Sequence, residues 1–202
     1  MSPSGEAKRT SEYPPNPTQW KFERNAIDLR RQFGLLPTDP IDPSSVASAY
    51  SARMLVVPRD LMEDCSQEDY HAAVTKGGDE WSAVTFQTES GMWAIMMNPS
   101  HSRRRQRSTL MEEIFHVILK HDPEPVFQDP VCGTARTEFS EEKEAEAYYS
   151  GSAALVPYVG LRSFLEQHRT LDEIADHFDV TVDLVKMRAK LCRLWNRYKG
   201  NE

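Results

Sequence analysis

Five consecutive residues, Glu112-Glu113-Ile114-Phe115-His116, set two carboxylates and an imidazole close together in a stretch with helical spacing. Residues four apart on a helix share a face, so Glu112 and His116 can point at one ion. Glu113 sits about 100° round the helix from Glu112. A carboxylate there serves better as a base acting on water than as a ligand. A site of this kind needs a third ligand, which can be a carboxylate from a later helix, and one open position. Glu141, Glu142, Glu144 and Glu146 supply such carboxylates downstream. Taken alone, however, E-E-x-x-H describes the solvated face of an ordinary amphipathic helix.

Several elements must position these residues. "STLMEEIFHVILKH" carries Leu110, Ile114, Val117 and Ile118 as an apolar face, with Ser108 or Thr109 as the expected N-cap. Before it, "WSAVTFQTESGMWAIMMNP" alternates two apolar β-prone runs around a polar turn with Gly91, a hairpin pattern. After it, "DPEPVFQDPVCG" holds three prolines and reads as a loop. "SEEKEAEAYYSGSAALVP" predicts a second helix stopped before Pro157. Upstream, "WKFERNAIDLRRQFGL" predicts a helix ending at Gly34. "PIDPSSVASAYSA" predicts another with Pro43 near its start, and "RMLVVP" a short strand ended by Pro58. A helical or irregular segment follows, and "TKGGDE" reads as a turn. Residues 1–18 are expected to be a disordered or loosely attached lead, 19–158 the main domain, and 159–202 a C-terminal helical segment with helix-turn-helix rhythm.

These pieces resemble, in order, the ImmA/IrrE family of metallopeptidases. "RQRSTLMEEIFHVILKH" is similar to its H-E-x-G-H helix. "WSAVTFQTESGMWAIMMNPSHS" is similar to its hairpin ending in Asn-Pro. "EKEAEAYYSGSAALVP" is similar to its later glutamate helix, and "LDEIADHFDVTVDLVKMRAKL" to its terminal helices. The resemblance spans roughly residues 25–192. It implies an α+β, mainly helical, zincin-like fold with a small β-sheet, an active-site helix and a C-terminal helical segment. It implies Glu113 as general base, with His116 and Glu146 as metal ligands; Glu112 stands where the first ligand histidine belongs. Phe115 stands where a glycine usually precedes the second histidine.

The first departure has a physical consequence. A carboxylate in place of a neutral imidazole takes the site of a divalent ion from a net charge of about +1 to about 0, which weakens the Lewis acid. Oxygen ligands also move preference from zinc towards manganese or ferrous iron. Three outcomes are open: a weakened zinc peptidase, a differently metallated one, or a metal-free remnant. The expected activity is endopeptidase cleavage of a partner protein such as a helix-turn-helix repressor. The alternative is an inactive zincin-like module that binds a repressor or peptide without cutting it.

Other residues receive plainer readings. His121 follows His116 by five positions and should point off the metal face, as a helix C-terminal residue; it is the nearest replacement ligand should Glu112 fail. Glu144 is expected in solvent, His101 on the surface, and Tyr148 and Tyr149 in packing roles. Arg103, Arg104, Arg105 and Arg107 should pair with the acidic second helix. Lys186, Arg188, Lys190, Arg193, Arg197 and Lys199 form a positive stripe along the last helix, a minor DNA-binding alternative that nearby acids largely cancel.

Composition fits this frame. The 202 residues are 39% hydrophobic and 27% charged, enough for a real core, and a net charge of -7 argues against non-specific nucleic-acid binding. Three scattered cysteines without a CxxC pair make neither a disulfide framework nor a cysteine metal site, and fit a reducing, cytoplasmic setting. The polar, Pro-rich start lacks a signal peptide's apolar core, and no run is long enough to span a membrane. A cytoplasmic protein is expected, and the family resemblance implies a bacterial one.

Overall fold

The structure, a computed structural model, describes residues 12–57, 81–88, 90–121, 124–128, 135–138 and 140–196. The segment expected after Pro58 and the "TKGGDE" turn lie outside the described residues.

A three-stranded sheet forms one layer, in the order β1 (Met54–Val56), β3 (Trp93–Met97), β2 (Ala83–Gln87). β1 runs parallel to β3, and β2 antiparallel to it with Thr85 opposite Ile95. The predicted hairpin is present. Gly91 has φ 81°, a left-handed conformation that glycine adopts without steric cost, and its amide donates to Thr88 O at 2.8 Å.

Against the sheet lies α3 (Arg103–Ile118), with α4 (Glu141–Leu155) packed on it and α1 (Trp20–Gln32) on α4. The core centres on α3. Met111, Ile114 and Phe115 are fully buried, and each contributes about 1.5–3 kcal/mol by leaving water. Burial on several sides of the helix explains why its apolar residues outrun a single amphipathic stripe. α4 approaches α3 closely because its contact face is small. A Cβ on Gly151 would lie 3.2 Å from the Glu112 amide nitrogen.

α2 (Pro43–Ala49) is capped by Asp42, whose carboxylate accepts from the Ser45 amide at 3.0 Å. After α4 come α5 (Tyr158–Glu166), α6 (Leu171–Phe178) and α7 (Val182–Leu191). Thr170 and Glu173 form a reciprocal capping box on α6, and Thr181 caps α7. Of the N-terminal lead, the described part is tied down. Asn16 donates to Leu191 O at 3.2 Å, and Pro14 O accepts from the Trp20 indole at 2.8 Å.

The structure corrects four expectations. α3 starts at Arg103, with Ser102 as its N-cap, not at Ser108 or Thr109. Arginine is a good helix former, so the basic run becomes the first turns of the helix. The proline-rich "loop" contains β4 (Glu124–Gln128), paired antiparallel with β5 (Ala135–Glu138). A two-stranded ribbon leaves outward amides unused, so Pro125 can sit in it, and the register shifts between Pro125 and Gln128.

The basic run does not pair with the acidic second helix. Arg103 and Arg104 reach Asp179 and Asp176, and Arg107 bonds Asp42 Oδ1 at 2.9 Å and the Asp179 carbonyl at 3.0 Å. It therefore ties α3 to α6 and to the cap of α2. Finally, Arg188 does not belong to an exposed stripe. It is fully buried and paired with Glu23 of α1, donates from Nε to Val156 O at 3.0 Å, and is unavailable to DNA. Arg197 and Lys199 lie outside the described residues.

Candidate functional site

Glu112, Glu113 and His116 project from α3 towards two different walls. Glu113 meets the sheet, where the Thr85 hydroxyl on β2 donates to its Oε2 at 2.7 Å. Burial pushes the Glu113 carboxyl above its ordinary range. The Thr85 hydroxyl and His116 oppose that shift, and Glu144 adds to it. Glu112 is pushed up to about 8, by burial first and then by the charges of Glu113 and Glu144. At neutral pH its carboxyl therefore holds a proton when no cation is beside it. Its field reaches Tyr148 on α4: burial, then Glu112, raises the phenol above its usual range.

His116 is buried, with Nε2 lying 3.6 Å from Glu144 Oε2. Its Nδ1 lies 3.2 Å from Nδ1 of His121, and the two rings meet edge to face. His121 was expected to point away. That expectation assumed a continuous helix, but α3 ends at Ile118 and Lys120 takes φ 57°. The His121 amide then donates back to His116 O at 3.0 Å, as in a helix-terminating turn. A left-handed lysine costs roughly 1–2 kcal/mol, and the reversal it makes folds His121 under the last turn, buried beside His116. Burial, reinforced by His116, lowers the His121 pKa against the pull of Glu146.

The two α4 carboxylates divide between the imidazoles. Glu144 is exposed, as expected, and its Oε2 also reaches to 3.6 Å from His116 Nε2. Glu146 is more enclosed, its side chain 18% exposed, and its Oε2 lies 3.7 Å from His121 Nε2. Both Glu146 oxygens have further partners on α1. Lys21 Nζ approaches Oε2 at 2.6 Å, and the Asn25 amide donates to Oε1 at 3.4 Å and to Ser150 Oγ at 3.0 Å. His101, expected on the surface, is buried just before α3. Tyr149 packs on Phe22 with ring centroids 5.2 Å apart, while Tyr148 is 38% exposed.

The structure thus places Glu112, Glu113, His116 and Glu144 in one electrostatic neighbourhood and joins it to Glu146 through His121. It does not converge Glu112, His116 and Glu146 on a single point. Among the described residues no three His, Cys, Asp or Glu side chains form a group that could hold a metal ion as they stand. In kind, the donors fit a divalent transition ion, being imidazoles and carboxylates. In spacing, the nitrogen–oxygen pairs at 3.6 and 3.7 Å are slightly wider than the roughly 3.3 Å that two ligands on one tetrahedral ion would show. Thr85, Lys21 and Asn25 carry no signal in the sequence, since each acts across a distant element. His121 did carry one, its distance from His116, but the turn at Lys120 was not legible.

A small sheet under an active-site helix, with a second glutamate helix across it, defines a mainly helical α+β, zincin-like domain of the metallopeptidase type. The model of the IrrE N-terminal-like domain, Peptidase_M78, matches residues 67–190, more than half of the chain, and the chain belongs to that family. Comparison with curated proteins gives no match, and comparison with solved structures gives none. Among the described residues no helix is long and apolar enough to cross a membrane.

Proposed function

We propose that the protein is a metal-dependent endopeptidase in which Glu112, His116 and Glu146 hold the ion and Glu113 is the general base. The observation that carries this reading is the placement of Glu113: half-buried beside the candidate ligands on α3 and oriented by Thr85 at 2.7 Å. A carboxyl raised by burial is suited to taking a proton from water and returning it to a leaving amine. The ion, zinc or else manganese or ferrous iron, would polarise the peptide carbonyl. Thr85 would keep one Glu113 oxygen aimed while the other meets the water. Glu146 is preferred to Glu144 as the α4 ligand because it is the more enclosed, although Glu144 lies nearer His116. The substrate class, a partner protein such as a helix-turn-helix repressor, rests on the family resemblance alone, and a cytoplasmic location on the cysteine usage.

A second reading has its own support. Glu146 is engaged by Lys21 and Asn25, and three donors do not meet, which suits a module that binds a peptide without cutting it. Glu113→Gln separates the two. Loss of cleavage by about 100- to 10,000-fold, with peptide binding intact, supports the enzyme. No cleavage by the wild type with zinc, manganese or iron, together with unchanged binding by the variant, leaves the binding module. Metal content by mass spectrometry, with Glu146→Gln as control, checks the ligand assignment.

A further inference from the structure

The Glu146 carboxylate already has a cation. Lys21 Nζ lies 2.6 Å from its Oε2, and the Asn25 amide donates to its Oε1 at 3.4 Å. Both contacts come from α1, more than 120 residues upstream, so neither is a by-product of local helix geometry. The lysine side chain is 65% exposed while the glutamate is 18% exposed. The carboxylate is therefore fixed inside the domain, and the ammonium reaches in from solvent and can swing out again. Such a pair is weak in itself, because an exposed lysine gains little from an ion pair. A carboxylate held by ammonium on one oxygen and amide on the other is nevertheless not free to turn towards a second cation. Two positive charges a few ångströms apart in a partly enclosed site also repel.

We propose that Lys21 is an internal competitor for the metal, a latch whose ammonium occupies Glu146 until an ion displaces it into solvent. The inference rests on the reading of Glu146 as a ligand. It accounts for donors that do not converge: Glu146, the enclosed carboxylate that would join Glu112 and His116, is held from α1. Lys21 is a positioning residue. It touches no reacting atom, and its action is on the occupancy of the site rather than on the chemical step. Asn25, itself bonded to Ser150, makes only a neutral contact to the other oxygen at 3.4 Å, so the lysine is the stronger of the two restraints.

The test is the affinity of the full-length protein for zinc alone, by competition with a chromophoric chelator, in wild type, Lys21→Met, Glu146→Gln and the double variant. Methionine keeps the length of the lysine stem and removes its charge; circular dichroism checks that each variant is folded. The latch predicts zinc binding tighter in Lys21→Met by roughly two- to fivefold, weaker in Glu146→Gln, and no gain from Lys21→Met once Glu146 is gone. If Glu146→Gln weakens zinc binding but Lys21→Met leaves it unchanged or weaker, the latch is overturned and the metal reading stands. If Glu146→Gln binds zinc as the wild type does, Glu146 is not a ligand, and both the latch and that ligand assignment are overturned. If neither wild type nor Lys21→Met retains zinc, the latch is likewise overturned, since freeing Glu146 would not have created a site.

Discussion

Two polar clusters cross this domain, one buried and one part-exposed, and they are built on opposite principles. Between α1 and α7, Glu23 and Arg188 pair at 1% and 0% exposure. The remaining Glu23 oxygen accepts from the Tyr158 amide at 3.3 Å, and Arg188 Nε bonds a carbonyl. Between α3 and α4, Glu112, Glu113, His116, His121, Glu144 and Glu146 lie closer to the surface, several with partners that reach in from solvent or are themselves titratable. The first cluster is a strut: its two charges pair with each other, and exchanging either leaves a stranded partner. The second is a set of donors with replaceable partners, which is what binding a cation or moving a proton requires. The difference teaches that a buried charge marks a site only when its partners can be displaced.

The comparison can be broken most forcefully at the strut. Arg188→Met should cost about 3–5 kcal/mol, the usual effect of stranding one half of a buried pair. Glu23→Gln with Arg188→Met together should restore part of that loss. Urea denaturation of the single and double variants measures both, and a double-variant loss equal to the sum of the two single losses would show that the two residues are not coupled.

The opposite sign is expected at the site. In the metal-free protein Glu112 is raised from 4.5 to about 8. Between those values the unfolded chain has lost the proton that the folded chain keeps, so stability falls as pH climbs from about 4.5 to about 8. Glu112→Gln should flatten that part of the profile. Denaturation midpoints at several pH values, after chelation, check this, and a slope unchanged by the substitution would place the titration elsewhere.

The smallest effect is at the strut's edge. Cys192 is buried beside Glu23 and Arg188, and burial pushes its thiol up to about 11. With Cys65 and Cys132 replaced by serine, the native protein should resist alkylation at pH 8 and react at once when unfolded. Rapid native labelling would mean that α7 opens readily.

Much of the fold was legible because it is encoded locally. Periodicity, Pro157 after α4, Pro43 near the start of α2 and Gly91 between two apolar runs each act within a few residues. Boundaries and irregular pieces were less so. The prolines of 123–130 argued for a loop, but a two-stranded ribbon tolerates what a central strand would not. The basic run was expected to pair with the acidic second helix and instead opens α3, because Ser102 caps it and Asp42, Asp176 and Asp179 receive its charges.

At the site, the sequence by itself determined the candidates: a carboxylate pair and a histidine at helical spacing, and glutamates on a second helix at a distance the family resemblance made meaningful. It could do so because i and i+4 share a face in any helix. Tertiary structure decided which of them meet. Lys120 turned His121 back onto His116, Thr85 came across from the sheet to hold Glu113, and Lys21 reached over from α1 to Glu146. The same is true of Arg188, which a linear reading assigned to a surface stripe and the fold paired with a glutamate 165 residues away. Charge pairing and burial depend on which helices pack together. That is settled by the whole core, not by the residues on either side.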